Sequence, residues 1–366
     1  MNEALLSALK KREEASHYRT LKLSSGGVDF WSNDYLGFSN LNMEPSSQLS
    51  SGSTGSRLIS GHDKMHEQVE SFIAEFHGAE SALLFNSGYL ANLGLLSSIG
   101  VKGSLFVYDS LCHASILDGM RLSFAQRRKF RHNDMADLEK ILQTSEFETI
   151  YVITESVFSM DGDIAPLNEI AHLCRVYNAG LIVDEAHALG VFGAQGEGLC
   201  ANSIEGVEMF ARVYTYGKAL GFHGAAVLGS ESLKHYLINF SRPFIYTTAV
   251  SPMDAEMIEK RYQCMMTSEA RQQLRYNINY FSLMVSAFNL NEQIQVSQSA
   301  IQVLLKGHHA LTDISDKLWK MGYLQKAILT PTVNQGEERI RICLHAFNTE
   351  NDISNLLESI KNLIQE

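Results

Sequence analysis

Between residues 81 and 229 short apolar runs alternate with helix-forming stretches, and most of the runs stop at polar residues. Ser81-Ala82-Leu83-Leu84-Phe85 runs into Asn86-Ser87-Gly88-Tyr89-Leu90-Ala91-Asn92. Leu105 to Asp109 runs into Ser110-Leu111-Cys112-His113-Ala114-Ser115, and Thr149 to Glu155 runs into Ser156 to Asp163. Further β-prone runs end at Asp184 and near Thr215, and Ala225 to Gly229 follows. Strands joined by helical crossovers must lie parallel, so this rhythm predicts an α/β fold: a mostly parallel sheet covered by helices on both faces. The polar residues then gather along one edge of the sheet, where open α/β sheets bind ligands.

Two residues at that edge point to a particular chemistry. Lys218 sits in Tyr214-Thr215-Tyr216-Gly217-Lys218-Ala219-Leu220-Gly221, where a strand turns over into glycine-flanked chain. A neutral lysine amine forms a Schiff base with a carbonyl cofactor, and partial burial lowers the ammonium pKa toward that form. A solvated loop lysine is the plainer account, but Leu181-Ile182-Val183-Asp184 places a carboxylate at the end of a buried strand nearby in sequence. Aspartate and lysine together suggest pyridoxal phosphate, with Asp184 on the ring nitrogen and Lys218 on the aldehyde. Its phosphate needs helix N-terminal N–H groups and small hydroxyls, which Ser87-Gly88-Tyr89 and Thr215 supply. Serine and glycine ahead of a helix are also ordinary caps. His113 opens a helix after a strand, and its ring can lie against the cofactor or serve as a cap. His187, three residues beyond Asp184, can reach the phenolic oxygen or merely satisfy a loop.

The rest of the chain narrows the alternatives. A formal net charge of −11 argues against nucleic acid as a partner. The cysteines at 112, 174, 200, 264 and 343 have no C-x-x-C pair and no metal-ligand spacing. They read as reduced thiols in a cytoplasmic protein, without a metal. No apolar stretch has the length that spans a bilayer. Gly196-Glu197-Gly198-Leu199-Cys200-Ala201 matches a loose dinucleotide fingerprint, but it lacks a preceding strand and would set Glu197 beside a pyrophosphate. By composition, the glycine- and serine-rich stretch 50–61 can be a linker. Three segments are expected: an N-terminal helical arm over residues 1–30, a large ligand-binding domain over 31–265, and a small α+β domain over 266–366. A long helical pattern runs from Glu256 to about Phe288. The densest basic cluster is Arg127-Arg128-Lys129 with Arg131, a solvated strand end or a contact for coenzyme A phosphates.

Taken together, Ser32-Asn33-Asp34-Tyr35-Leu36-Gly37, Gly55-Ser56-Arg57-Leu58-Ile59-Ser60-Gly61, His113-Ala114-Ser115, Val157 to Asp163, Asp184-Glu185-Ala186-His187 and Gly217-Lys218-Ala219-Leu220-Gly221 resemble the α-oxoamine synthases. The resemblance covers nearly the whole chain in order. It implies a fold-type I pyridoxal phosphate transferase that condenses an amino acid with an acyl thioester and releases carbon dioxide. Position by position it implies Lys218 on the cofactor aldehyde, Asp184 on the pyridinium and His113 stacked on the ring. His187 and Ser159 would lie near the phenolic oxygen, and Gly88, Tyr89 and Thr215 around cofactor and phosphate. Arg341 would pair with the amino-acid carboxylate, with Arg19, Asn33 and Thr332 as further substrate contacts. Thr247 and Thr248 would reach the phosphate of a neighbouring subunit, which implies a homodimer with shared sites. The implied substrates are L-alanine and an acyl group on coenzyme A or an acyl carrier protein. A sister enzyme using glycine or serine, an aminotransferase, and a catalytically dead binding protein on the same fold are the alternatives. The chain departs from the family at Phe222, where a small residue is common, and residues 331–338 align loosely.

Overall fold

The apolar runs are almost wholly buried strands in the computed structural model, which describes residues 2–14, 18–21, 23, 26–46, 48–200 and 209–365. Helix α1 (Asn2–Glu14) is exposed throughout; residues 15–17 of the expected arm, and Ala201 of the rejected fingerprint, lie outside the described residues. The chain then divides into two compact units, residues 1–32, 160–162 and 275–366 in one, and 33–159 and 163–274 in the other.

In the first unit β1 (Val28–Asp29) is short. In the second, β2 (Ser81–Phe85), β3 (Ser104–Asp109), β4 (Gln126–Phe130), β5 (Thr149–Glu155), β6 (Gly180–Asp184), β7 (Met209–Thr215) and β8 (Ala225–Gly229) form one sheet in the order β2-β8-β7-β6-β5-β3-β4. The pairs from β4 through β3, β5 and β6 to β7 are parallel, and β8 runs against both β2 and β7. The expected mostly parallel sheet is what forms.

Side chains alternate across a strand, so each strand feeds two cores. Phe106, Ile153, Ile182 and Val213 pack on one face with Ala91, Leu95 and Leu96 of α3, the helix Gly88–Ile99 that follows α2 (Lys64–Phe76). Leu105, Val107, Val152, Leu181 and Val183 pack on the other with Leu138, Leu142, Ile170 and Cys174 of the helices Met135–Gln143 and Leu167–Val176. Helix α4 (Ala114–Arg121) crosses α3 closely because residue 119 is glycine; a Cβ there would stand 2.8 Å from the Asn92 carbonyl oxygen. Arg127, Arg128 and Lys129 lie exposed on β4, the sheet's outer strand, where charge discourages pairing with another chain.

The long helical pattern after residue 252 resolves into two helices, Pro252–Thr267 and Ala270–Ala287. They part at Ser268, which is extended and whose hydroxyl accepts the Ala270 N–H at 3.1 Å, an alternative to the helical bond that periodicity does not reveal. In the first unit, β9 (Ile294–Gln295), β10 (Ile301–Leu304), β12 (Lys326–Ile328) and β13 (Arg339–Cys343) make an antiparallel sheet, while β11 (Tyr323–Leu324) pairs in parallel with β1. The closing helix Glu350–Gln365 buries Ile353, Leu356, Leu357, Ile360 and Leu363 on one stripe, as the spacing predicts.

Candidate active site

The parallel strands β3, β5, β6 and β7 end in Asp109, Glu155, Asp184 and Thr215. Glu155 and Asp184 are register partners, so two carboxylates stand side by side on adjacent strands. Asp184 is 7% exposed. Its Oδ2 accepts Asn92 Nδ2–H at 2.7 Å, and its Oδ1 accepts the Ala186 N–H at 2.9 Å. A carboxylate fixed by two donors is an acceptor ready for a protonated ring nitrogen. Burial, then the Asp184 charge, pushes the Glu155 carboxyl up to about 8.

His113 caps α4, its Nδ1 accepting the Ser115 N–H at 3.2 Å. The His113 N–H donates to Glu155 Oε1 at 2.5 Å. Burial of part of the ring lowers its pKa; Asp184 pulls the other way and Lys218 adds to the lowering. Lys218 acts on Glu155 as well, so lysine and aspartate address the same two residues at one sheet edge. His187 is buried and its Nδ1 lies 2.7 Å from the Tyr35 hydroxyl, which donates to Asn33 Oδ1 at 3.2 Å. Ser159 is half-buried in the turn after β5.

At the start of α3 a Cβ on residue 88 would stand 3.2 Å from both Cβ and Oγ1 of Thr215. Glycine leaves the helix N-terminus open beside a hydroxyl, a cradle suited to phosphate. Together with the buried, doubly held Asp184 and the partly exposed Lys218, these residues fit pyridoxal phosphate. Tyr89 next door is exposed and donates its hydroxyl to Asp118 of α4. The lysine loop is anchored behind: Arg261 donates to the Leu220 carbonyl at 2.9 Å and to the Phe38 carbonyl. A Cβ on Gly221 (φ +56°) would meet the backbone of Phe38 and Ser39.

Residues 50–61 form an ordered wall rather than a linker. Arg57 pairs with Glu70 at 2.8 Å, and Glu70 also faces Lys234 at 3.2 Å and accepts the Leu84 N–H at 3.0 Å. Ala249 N–H donates to the Gly55 carbonyl at 3.0 Å, and Asn86 Nδ2–H to the Thr248 carbonyl at 3.2 Å. Thr247 and Arg57 line one small cavity beside these bonds. The dinucleotide fingerprint is spent internally: the Glu197 carboxylate accepts the N–H groups of Ala194 and Gln195 at 3.1 and 2.7 Å.

His132 bridges the carboxylates of Asp109 (2.9 Å) and Asp163 (2.7 Å) and packs edge-on against Phe158. It ties the end of β3, which leads to His113, to the loop bearing Ser159. Burial opposes its charge, but the two carboxylates prevail and hold its pKa at about 10. Because the folded value exceeds the ordinary 6.5, its contribution is complete below about pH 6.5 and vanishes as pH rises through about 10. Urea unfolding should show wild type more stable than His132→Gln by on the order of 3 kcal/mol near neutrality, after allowance for solvent screening. The gap should close above about pH 10; a gap independent of pH refutes a charged bridge.

Asn33, Gly88, Tyr89, His113, Ser159, Asp184, His187, Thr215, Lys218, Thr247 and Thr248 all belong to the second unit, and Arg19, Thr332 and Arg341 to the first. Arg341 lies on β13 opposite Val303 and Lys326, and Arg19 and Thr332 are exposed. Sequence reasoning passed over Asn92, Ser115, Glu155 and Tyr35. Glu155 was findable as an acid at a strand's C-terminal end; Asn92 carries no such signal, since a buried asparagine in a helix declares its partner only when the helix is packed.

A family model described as aminotransferase class I and II matches residues 25–360. The 8-amino-7-oxononanoate synthase of Emericella nidulans is 37% identical over 398 residues, spanning 100% of this chain and 96% of that protein. That of Methylococcus capsulatus is 40% identical over 351 residues, spanning 93% and 89%. Among solved structures, a serine palmitoyltransferase from S. paucimobilis superposes with a TM-score of 0.88 at 26% identity, covering 100% of this chain and 97% of that one. An 8-amino-7-oxononanoate synthase from Francisella tularensis gives 0.77 at 28% identity, covering 93% and 99%. With relatives matched along nearly their whole length and a lysine, an aspartate and an open helix end gathered at one sheet edge, the chain belongs to the aminotransferase class I and II family, in its α-oxoamine synthase branch.

Proposed function

We propose that the chain is a pyridoxal phosphate-dependent acyltransferase that joins L-alanine to a pimeloyl thioester, forming 8-amino-7-oxononanoate, carbon dioxide and free thiol in biotin synthesis. The observation that carries this reading is the convergence of Lys218 and Asp184 on His113 and Glu155, beside the helix end left open by Gly88. The curated relatives bearing that name supply the choice of reaction. When bound, the cofactor supplies an electron sink for negative charge at the amino-acid Cα.

The chain's own residues do the rest. Lys218 would hold the cofactor at its aldehyde, and its neutral amine is the base for the alanine Cα proton. Asp184 holds a proton on the ring nitrogen, with its oxygens fixed by Asn92 and the Ala186 amide. Thr215 and the α3 N-terminus, with Gly88 and Tyr89, receive the phosphate. His113 would cover the ring face, while His187, hydrogen-bonded to Tyr35, and Ser159 would lie near its phenolic oxygen. Arg341 takes the alanine carboxylate as a bidentate donor, with Arg19, Asn33 and Thr332 as neighbouring contacts. Thr247 and Thr248 serve the phosphate of a second subunit, which makes the working form a homodimer. The thioester carrier is coenzyme A or an acyl carrier protein, and the compartment the cytoplasm, where the free cysteines at 112, 174, 200, 264 and 343 stay reduced. Among the described residues no helix is long and apolar enough to cross a membrane.

A second reading has its own support, since the serine palmitoyltransferase superposes better than the Francisella tularensis synthase. Turnover of a pimeloyl thioester with L-alanine, glycine and L-serine separates them. Alanine is expected to exceed both by about tenfold or more in kcat/KM, the discrimination one methyl or hydroxyl commonly allows. Preference for serine with a long acyl chain would establish the rival.

A further inference from the structure

His113 is surrounded by a hydrogen-bonded chain whose directions can be read from its two ends. At one end Asp184 Oδ2, an acceptor as a carboxylate, lies 2.7 Å from Asn92 Nδ2, which settles the orientation of that amide. The same Nδ2 donates to Ser115 Oγ at 3.0 Å. Ser115 Oγ thus uses a lone pair on Asn92 and has its proton left for His113 Nδ1, 2.8 Å away. At the other end the Ser115 backbone N–H, which can only donate, also points at His113 Nδ1, at 3.2 Å. A ring nitrogen that receives two donors has no room for a proton of its own. Asn92 and Ser115 are 3% and 1% exposed, so water does not compete for the bonds that Asn92 makes to Asp184 and Ser115, while the His113 ring that they support is exposed. The His113 main chain is pinned by a further group, its N–H donating to Glu155.

We infer that Asn92 and Ser115 are positioning residues that lock His113 as the neutral tautomer with its proton on Nε2, so that the ring acts as a donor and never as the base. The charges around the ring are Asp184, Lys218 and Asp118, with Glu155 at its backbone. Their balance, together with burial of part of the ring, keeps its pKa below the ordinary 6.5. Nε2 makes no hydrogen bond within the described residues. With that nitrogen already protonated, His113 cannot accept the Cα proton, and the task falls to Lys218. The catalytic part of this inference rests on the proposed reaction; the tautomer does not.

The test is nitrogen NMR of the holoenzyme labelled with ¹⁵N-histidine, the His113 signals identified by their loss in His113→Gln. The expected result is a pyridine-type Nδ1, a protonated Nε2 and a midpoint below the ordinary histidine value. In Ser115→Ala the midpoint should rise and kcat fall about tenfold, with KM for alanine nearly unchanged. Asn92→Ala should move both in the same direction. Protonation of Nδ1 in the wild-type protein overturns the inference, whatever the variants do. Nε2–H without turnover of alanine would leave the lock standing and remove the proposed reaction, whereas alanine turnover with a proton on Nδ1 would do the reverse.

Discussion

Replacement of Lys218 by alanine is expected to abolish turnover and to remove the visible absorption band that covalently attached cofactor gives. Among the described residues, the neighbouring strands of this edge end in the carboxylates Asp109, Glu155 and Asp184 and supply no second primary amine. The loss should reach at least about a thousandfold, because anchor and base disappear in one substitution. Noncovalent cofactor can persist, since Asp184, Gly88 and Thr215 are untouched, and its spectrum should then be that of free aldehyde. Full absorbance with retained turnover would remove Lys218 from the mechanism. Folding should not change: residue 218 is only half-buried, and the loop is held by Arg261 and Gly221.

The largest effect on stability is expected at Glu70. It is 1% exposed and serves Arg57, Lys234 and the Leu84 amide at once. Burial pushes its carboxyl pKa up, but the two cations outweigh burial and hold it below the ordinary value. Glu70→Ala leaves the nearly buried Arg57 without its carboxylate, which should lower the unfolding free energy by about 3–5 kcal/mol. Urea unfolding would measure it. The variant should also loosen residues 55–61 and 247–249, which meet through the Gly55 carbonyl, and hydrogen exchange would report that. A change below about 1 kcal/mol would show that solvent reaches these charges freely.

The large sheet was legible because burial on both faces leaves a plain mark: continuous apolar runs such as Leu181-Ile182-Val183 ending in a carboxylate. Asp184, Lys218 and His113 were legible for the same reason, since chemistry-bearing residues followed those runs. Other features depend on what faces them. Ser268 divides a continuous helical pattern by bonding its own backbone. The stretch 50–61 has a linker's composition, yet one arginine finding one buried glutamate fastens it to α2. Asn92 and Ser115 are unremarkable in sequence and become informative only when α3 and α4 cross at Gly119. The places of Arg19, Thr332 and Arg341 came from family resemblance alone, since neither periodicity nor spacing singles them out.

The fit of Gly221 against Phe38 and Ser39 has a consequence for engineering. A methyl group at 221 would strike main chain, which cannot swing aside as a side chain would, and Arg261 stitches the same two segments from behind. Position 221 is therefore closed to variation while the chain at 38 and 39 keeps its path: a library of the lysine loop should hold residue 221 as glycine and spend its diversity on 217 and 222.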